Sequence, residues 1–410
     1  MILKRRNTRH CRVQTSHRKF YTKMDMRKTK KLIFIIGAGA SKAIAPEEIP
    51  AMNDFFHVAK NFARQDENIK TTLDSLGRHG LLQNKEVNLE YVLEHTMKLP
   101  RNHDNPWERP YDGLLLTLHK IFYILNEKYR PEPFIRCLEP VRHFLNSSAT
   151  FISFNYDVFL ERSLNEILNW KTCFGYSPNP LVGFIESSQA DNAQSDKSIC
   201  DEVYAWGMEE YDKAYPQKKA TRPINEIPAV LKPHGSLNWF IHSSKKPYAW
   251  IPNCTGLLLM GPNKETPSIP RFWNYSTANT AKGEFKRRKY YIGSILPAII
   301  PPGRKFVEKR KAEVFQKINE AVIQELTEAS VLVIIGWSMS GFDKHYKQLF
   351  KEVIKQRKSQ KLSKLAVCDF QRSPEFYGKF KRLLPHEVFL VCNEGFGSDK
   401  SIELLRAAIT

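Results

Sequence analysis

No stretch of about 18 uncharged apolar residues occurs in this 410-residue chain, so no helical membrane span is expected. Cysteine is sparse. The seven residues Cys11, Cys137, Cys173, Cys200, Cys254, Cys368 and Cys392 are scattered, odd in number and never form a C-x-x-C pair. They predict neither a disulfide framework nor a metal site, and a reducing cytoplasm is the simpler home. Acid is scarce at one end: residues 1–31 hold twelve Lys or Arg against the single acid Asp25, so this stretch supplies +11 of the net +20. Such an arm could neutralise phosphates and bind nucleic acid without reading its sequence. It lacks apolar periodicity and the apolar core of about 7–15 residues of a secretory signal. The simpler expectation for 1–30 is a disordered leader, or a true start at Met24 or Met26. Its Arg-rich, acid-poor composition also weakly resembles an organelle transit peptide.

With 42% hydrophobic and 12% aromatic residues, the chain can bury a substantial core. Order is expected from Lys31, where Leu32-Ile33-Phe34-Ile35-Ile36 reads as a strand buried on both faces of a parallel sheet. From Asn53 to about Ser148 the pattern is helical, with Val87-Leu89-Val92-Leu93 and Leu114-Leu115-Leu118-Ile121-Phe122-Leu125 as apolar stripes. The next strand is Thr150 to Phe154. A βαβ crossover needs far less chain, so 53–148 reads as an inserted helical module. Short strands are expected at Ala229–Leu231, Trp239–Ile241 and Leu257–Met260, and a mobile polar loop at Ser187–Asp201. Strand and helix then alternate through Val331–Ile335, Lys344–Lys355, Leu365–Cys368, Val388–Val391 and Ile402–Ala408. The expected fold is α/β: a Rossmann-like open parallel sheet built from 31–52 and 149–410, with a large helical insertion.

Polar residues gather at the ends of these strands, where ligands of open α/β sheets bind. Gly37-Ala38-Gly39-Ala40-Ser41 follows the first strand, and glycines there let backbone N–H groups approach a pyrophosphate. A dehydrogenase fingerprint would want a third glycine where Lys42 stands, which disfavours hydride transfer. Three further segments sit at strand ends: Ser153-Phe154-Asn155-Tyr156-Asp157, Lys232-Pro233-His234-Gly235-Ser236, and Gly336-Trp337-Ser338-Met339-Ser340-Gly341-Phe342-Asp343. Ordinary roles stay open for each. Asn155 and Asp157 could cap a following helix, His234 could be a turn histidine, and Asp343 could cap the helix from Lys344.

In order and character, G-A-G-A-S, F-N-Y-D, H-G-S and G-W-S with a following Asp resemble the sirtuin family (silent information regulator two). They are most similar to the bacterial sirtuin-like domains of antiphage defence systems. The resemblance spans Lys31 to Gly397 and rests on some 25 motif residues. It implies that Gly37, Ala38, Gly39, Ala40 and Ser41 hold NAD phosphates, that Asn155 places a water near the nicotinamide ribose, and that His234 works in acid/base catalysis. It further implies that Gly336, Trp337 and Ser338 meet the phosphates and adenosine, with Asp157, Asp343 and Asp369 as further cofactor contacts. A deacylase of the family carries a four-cysteine zinc module and an F-G-E peptide clamp. Here the zinc module is missing and Phe174-Gly175-Tyr176 lacks the acid. Asn88-Leu89-Glu90 with Val92-Leu93 looks like the N-L-E-x-V-L segment of the defence-type NAD hydrolases, which share the long insertion.

The expected activity is therefore cleavage of NAD, as substrate and without a metal, to nicotinamide and ADP-ribose. The resemblance implies gating by a protein partner or phage-derived trigger, in an effector that defends by NAD depletion, and leaves room for a homo-oligomer. Rival classes are an NAD or ADP-ribose sensing module without chemistry, an NAD-dependent deacylase, and a nucleic-acid binder using the arm. Deleting residues 1–30 should leave fold and NAD chemistry intact, because the arm has nothing apolar to bury. Circular dichroism and nicotinamide release of the truncated chain check this, and an unfolded or inactive truncation would contradict it.

Overall fold

The computed structural model describes residues 30–83, 87–100, 105–168, 170, 176, 184–185, 227–242, 257–260, 295–299, 313–339, 344–358 and 360–410. The arm 1–29, the polar stretch 187–201 and Asp343 lie outside the described residues. The described residues begin with β1 (Leu32–Ile36) and α1 (Ala38–Lys42), then α2 (Phe55–Ala63), α3 (Glu67–Arg78), α4 (Leu89–Thr96), α5 (Pro110–Lys128), α6 (Glu132–Leu138) and β2 (Ala149–Ser153). Next come α7 (Phe159–Leu168), β3 (Phe184–Ile185), β4 (Ala229–Leu231), β5 (Gly235–His242), β6 (Leu257–Met260) and β7 (Ile295–Ile299). They close with α8 (Glu313–Glu328), β8 (Val331–Ile335), α9 (Lys344–Arg357), β9 (Leu362–Cys368), α10 (Pro374–Lys381), β10 (His386–Cys392) and α11 (Asp399–Ile409).

A six-stranded parallel sheet in the order β10-β9-β8-β1-β2-β4 forms the centre, so the fold is α/β with a Rossmann-like open sheet. Every residue of β1, β2 and β8 is buried. These runs show no polar alternation because helices cover both faces. Phe34 of β1 stacks on Phe151 of β2 with ring centroids 4.5 Å apart, fixing the register at mid-strand. From β1 the chain fills one side through β2 and β4, then returns to the other side of β1 through β8, β9 and β10. The order therefore reverses at β1, and the carboxyl ends of β1, β2 and β8 flank that switch point.

A second, four-stranded sheet, β3-β6-β5-β7, stands beside the expected one. It is mixed: β5 runs antiparallel to β6 and β7, while β3 is parallel to β6. Its strand β7 escaped sequence reasoning because Pro297 interrupts an otherwise apolar run, and proline removes a ladder donor. β4 of the first sheet passes through the turn at residues 232–234 into β5 of the second, so His234 sits where the chain changes sheets.

Helices α2 to α5 pack on one another as the inserted unit, with the expected stripe Leu114, Leu115, Leu118, Ile121, Phe122 and Leu125 buried on α5. Asp66 caps α3, accepting from the N–H groups of Asn68 and Ile69 at 3.1 and 3.2 Å, and Asn88 caps α4 through the N–H of Glu90 at 2.7 Å. Helix α6 packs with α7 and α11. No helix among the described residues is long and apolar enough to cross a membrane.

The insertion is pinned to the second sheet. Helix α5 lies against β7, and His119 on α5 is hydrogen-bonded to the backbone of Leu237 in β5. Burial pushes the His119 imidazole down to about 3, against the opposing pull of that hydrogen bond. Since the unfolded value is near 6.5, His119 is neutral in both states at pH 7, and below that value only the unfolded chain gains its proton. Stability should fall with pH from about 6.5 downward, by up to about 1.4 kcal/mol per pH unit from this residue. Urea unfolding at about pH 7 and pH 5.5 should show wild type losing about 1 kcal/mol more than His119→Gln. Equal losses would contradict the assignment.

Candidate functional site

The turns after β1 and β8 touch backbone to backbone. The N–H of Gly37 donates to Ile335 O and that of Gly39 to Gly336 O, both at 2.9 Å. A Cβ on Gly37 would lie 2.5 Å from Gly336 O, and one on Gly336 would lie 2.2 Å from Ala40 N. Gly336 also has φ +59°, in the left-handed region that costs other residues energy. The N–H of Gly336 in turn reaches Cys368 O at the end of β9 at 2.9 Å, and Phe154 N–H reaches Ile36 O at 2.9 Å. Four strand ends are thereby drawn together. The N–H groups of Gly37, Gly39 and Ala40 all hold carbonyl partners, so the first task of these glycines is close approach of the two turns. Gly39 is exposed and Ala38 half-buried, and these two form the outer surface of the turn.

Asn155 lies across this junction. Its Nδ2 donates to Gly37 O at 3.0 Å and to Ser41 Oγ at 2.8 Å. Because a carbonyl can only accept, the nitrogen must face Gly37, which settles the orientation of the amide. The other end, Oδ1, is buried and has no hydrogen-bond partner among the described residues. Asn155 is therefore not a helix cap. That role falls to Asp157, whose Oδ1 accepts from Phe159 N–H at 3.2 Å at the start of α7. Burial raises the Asp157 carboxyl above the ordinary carboxylate range, against the pull of Lys232 and of a hydrogen bond from Ser41. Ser41 thus links Asn155 to Asp157.

His234 is buried in the turn after β4, its ring 5.2 Å from Phe154, 6.2 Å from Tyr156 and 5.4 Å from Tyr346 between centroids. Phe154 also stacks on Trp337 at 5.0 Å. Gly37, Ala40, Ser41, Asn155, Asp157, Gly336 and Trp337 are thus joined across three separated segments, and His234 joins them from a fourth through Phe154 and Tyr156. The Trp337 indole is a core group packed on Phe350 and Phe380. Only its backbone is left to meet a ligand.

Ser338 is exposed beyond Gly336, followed by Met339 at φ +49°. Asp369 stands one strand further out, at the end of β9. Its Oδ1 accepts from Phe370 N–H at 2.7 Å and pairs with Arg372 Nε at 3.3 Å. Its Oδ2 is buried and has no partner among the described residues. The site therefore offers two buried, unsatisfied acceptors, on Asn155 and Asp369, and such groups call for an explanation.

The buried cluster of Lys232, Glu161 and Tyr176 has no counterpart in the sequence pattern. Lys232 is fully buried and its Nζ donates to Asp157 O at 2.5 Å and to Glu161 Oε1 at 2.9 Å. Tyr176 OH donates to the same Oε1 at 3.0 Å. A lysine beside the proline of an H-G-S turn reads as surface charge, and only the fold shows otherwise.

No protein-family model matches this chain, and no curated protein matches it in sequence.

At the opposite, amino ends of the strands an open groove of about 490 Å³ is lined by Lys30, Leu32, Phe144, Asn146, Val331 and Thr410 among others. It holds none of the residues singled out from the sequence. Gly37→Ala or Gly336→Ala should cost about 2 kcal/mol or more, because a Cβ at either position collides with backbone. Gly77→Ala in α3, where a Cβ meets nothing within 4 Å, should instead gain about 0.5–1 kcal/mol. Urea midpoints of the three variants check the contrast, and a tolerated Gly336→Ala would contradict the close-approach account.

Proposed function

We propose that this chain is a sirtuin-like NAD hydrolase that releases nicotinamide from NAD with water as acceptor and leaves ADP-ribose. The observation that carries the reading is the Asn155 carboxamide, held by its nitrogen at the switch point with a buried oxygen unpartnered next to the loop that packs on His234. An acceptor fixed in this way suits a water or a ribose hydroxyl.

The chemistry asks little of the protein. Nicotinamide leaves as a neutral ring from a cationic one, so its departure needs no general acid, unlike the paired carboxylates that O-glycosidases use. Asn155 Oδ1 orients the attacking water, and His234 takes a proton from that water or from a ribose hydroxyl. The unpartnered Oδ2 of Asp369 at the end of β9 is suited to a hydroxyl of the distal ribose. Gly39, Ala38 and the exposed Ser338 form the surface that would carry the phosphates.

Tyr176, in the segment nearest to a peptide clamp, spends its hydroxyl on buried Glu161, which favours hydrolysis over deacylation. In this reading the helical insertion, whose His119 bonds the strand that follows His234, gates the site in response to a partner or phage-derived trigger. In that reading the protein is a cytoplasmic effector of antiphage defence that acts by depleting NAD.

Chromatography of NAD incubated with the purified chain tests the proposal. Under conditions where wild type turns over, Asn155→Ala and His234→Ala should each lower nicotinamide release by about 10² to 10⁴ while NAD binding survives. Undiminished release in both variants would remove these residues from the mechanism. Binding without release by wild type under every condition would leave a sensing module, and release that depends on an acylated peptide would return the deacylase.

A further inference from the structure

Beneath the site, the two loops that carry Asn155 and His234 are tied by one buried ion pair. Lys232 lies two residues before His234 and Glu161 six residues after Asn155, on α7, and both side chains are fully buried. Lys232 Nζ reaches past the ion pair to the backbone carbonyl of Asp157 at 2.5 Å, two residues after Asn155. Its own carbonyl accepts from Gly235 N–H at 2.9 Å, closing the turn that presents His234. From the far side of that turn, Leu237 N–H donates to Tyr156 O at 2.9 Å and Ser236 Oγ to the same oxygen at 3.4 Å. Lys232 therefore grips the Asn155 loop from beneath while Ser236 and Leu237 grip it from beyond His234.

The pair is poorly explained as a source of stability. Glu161 Oε2 is buried with no partner among the described residues, and a buried ion pair left partly unsatisfied is commonly no better than apolar residues of the same volume. The geometry points to Lys232 and Glu161 as positioning residues that set the distance between Asn155 and His234. This inference rests on the proposed hydrolase for its catalytic consequence, but not for its structural one. Asn155 is held from above by Gly37 and Ser41, and His234 is held among Phe154, Tyr156 and Tyr346. Besides the bonds of Ser236 and Leu237 to Tyr156 O, the Lys232 ammonium and its two acceptors fix the one loop against the other from beneath.

The test uses the full chain with the double substitution Lys232→Met and Glu161→Leu, which replaces the pair by apolar groups of similar volume. Three readings are taken: melting temperature, amide hydrogen exchange in peptides covering 154–158 and 233–237, and kcat and KM for nicotinamide release. The expected result is a melting temperature at or above that of wild type, with exchange in those two peptides faster by about tenfold or more, the factor that a loss of about 1.4 kcal/mol of local protection gives. Release should show kcat lowered about tenfold to a hundredfold with KM within about threefold, since misplacement harms the reacting geometry more than binding.

Wild-type exchange and wild-type kcat in the double variant would overturn the inference and leave the pair as replaceable core. If the double variant does not fold, Glu161→Gln, which keeps the side-chain shape but leaves the buried ammonium without a counter-charge, is read by hydrogen exchange and kinetics with the same criteria, and its melting temperature should fall. If no protein in the series releases nicotinamide, the hydrolase reading falls while hydrogen exchange still decides whether the pair couples the two loops.

Discussion

Two turns that lie backbone on backbone, after β1 and after β8, are the constraint around which the site is assembled. Gly37 and Gly336 face each other where a single Cβ would come within 2.5 Å of the opposing chain. Because the turns touch, Gly37 O is presented to Asn155, and the end of β9 is reached by the Gly336 N–H. A dehydrogenase-type fingerprint spends its glycines on a phosphate and on helix packing. Here the N–H groups of both Gly37 and Gly39 are spent on carbonyls of the β8 turn, so the glycines first build the floor of the site.

On that floor the polar groups form one connected set. Asn155 meets Gly37 and Ser41, Ser41 meets Asp157, and Asp157 shares Lys232 with Glu161, which also accepts from Tyr176. Burying so many polar groups is costly unless each is satisfied, and among the described residues Asn155 Oδ1 and Glu161 Oε2 in this set, with Asp369 Oδ2 beside it, have no hydrogen-bond partner. Two of the three stand at strand ends flanking the switch point, where a ligand could satisfy them. The aromatic wall of Phe154, Tyr346 and Trp337 around His234 lowers the local dielectric and so strengthens whatever electrostatic work is done there.

Much of this was legible in the residues. The apolar runs Leu32–Ile36 and Val331–Ile335 read as strands covered on both faces, and the polar segments that follow them as meeting at the strand ends. The role of Asn155 was not legible. Capping α7 and bridging to the β1 turn use the same side chain, and the bonds that decide between them cross 118 and 114 residues. The Lys232–Glu161 pair, 71 residues apart, left no local pattern, since a buried lysine looks like a surface one until its partner is placed. The second sheet was hidden by Pro297 in β7 and by the shortness of β3. Helix α6 continues the helical pattern of the insertion in sequence, and only the fold shows it packing against α7 and α11.

A crystal structure of the Asn155→Ala variant with NAD tests the account most directly, because that variant should bind the dinucleotide without consuming it. The nicotinamide ribose should lie between position 155 and His234, the phosphates over Ala38 and Gly39, and the distal ribose within hydrogen-bond reach of Asp369. NAD bound instead in the groove at the amino ends of the strands, beside Phe144 and Thr410, or no binding at millimolar NAD, would contradict it.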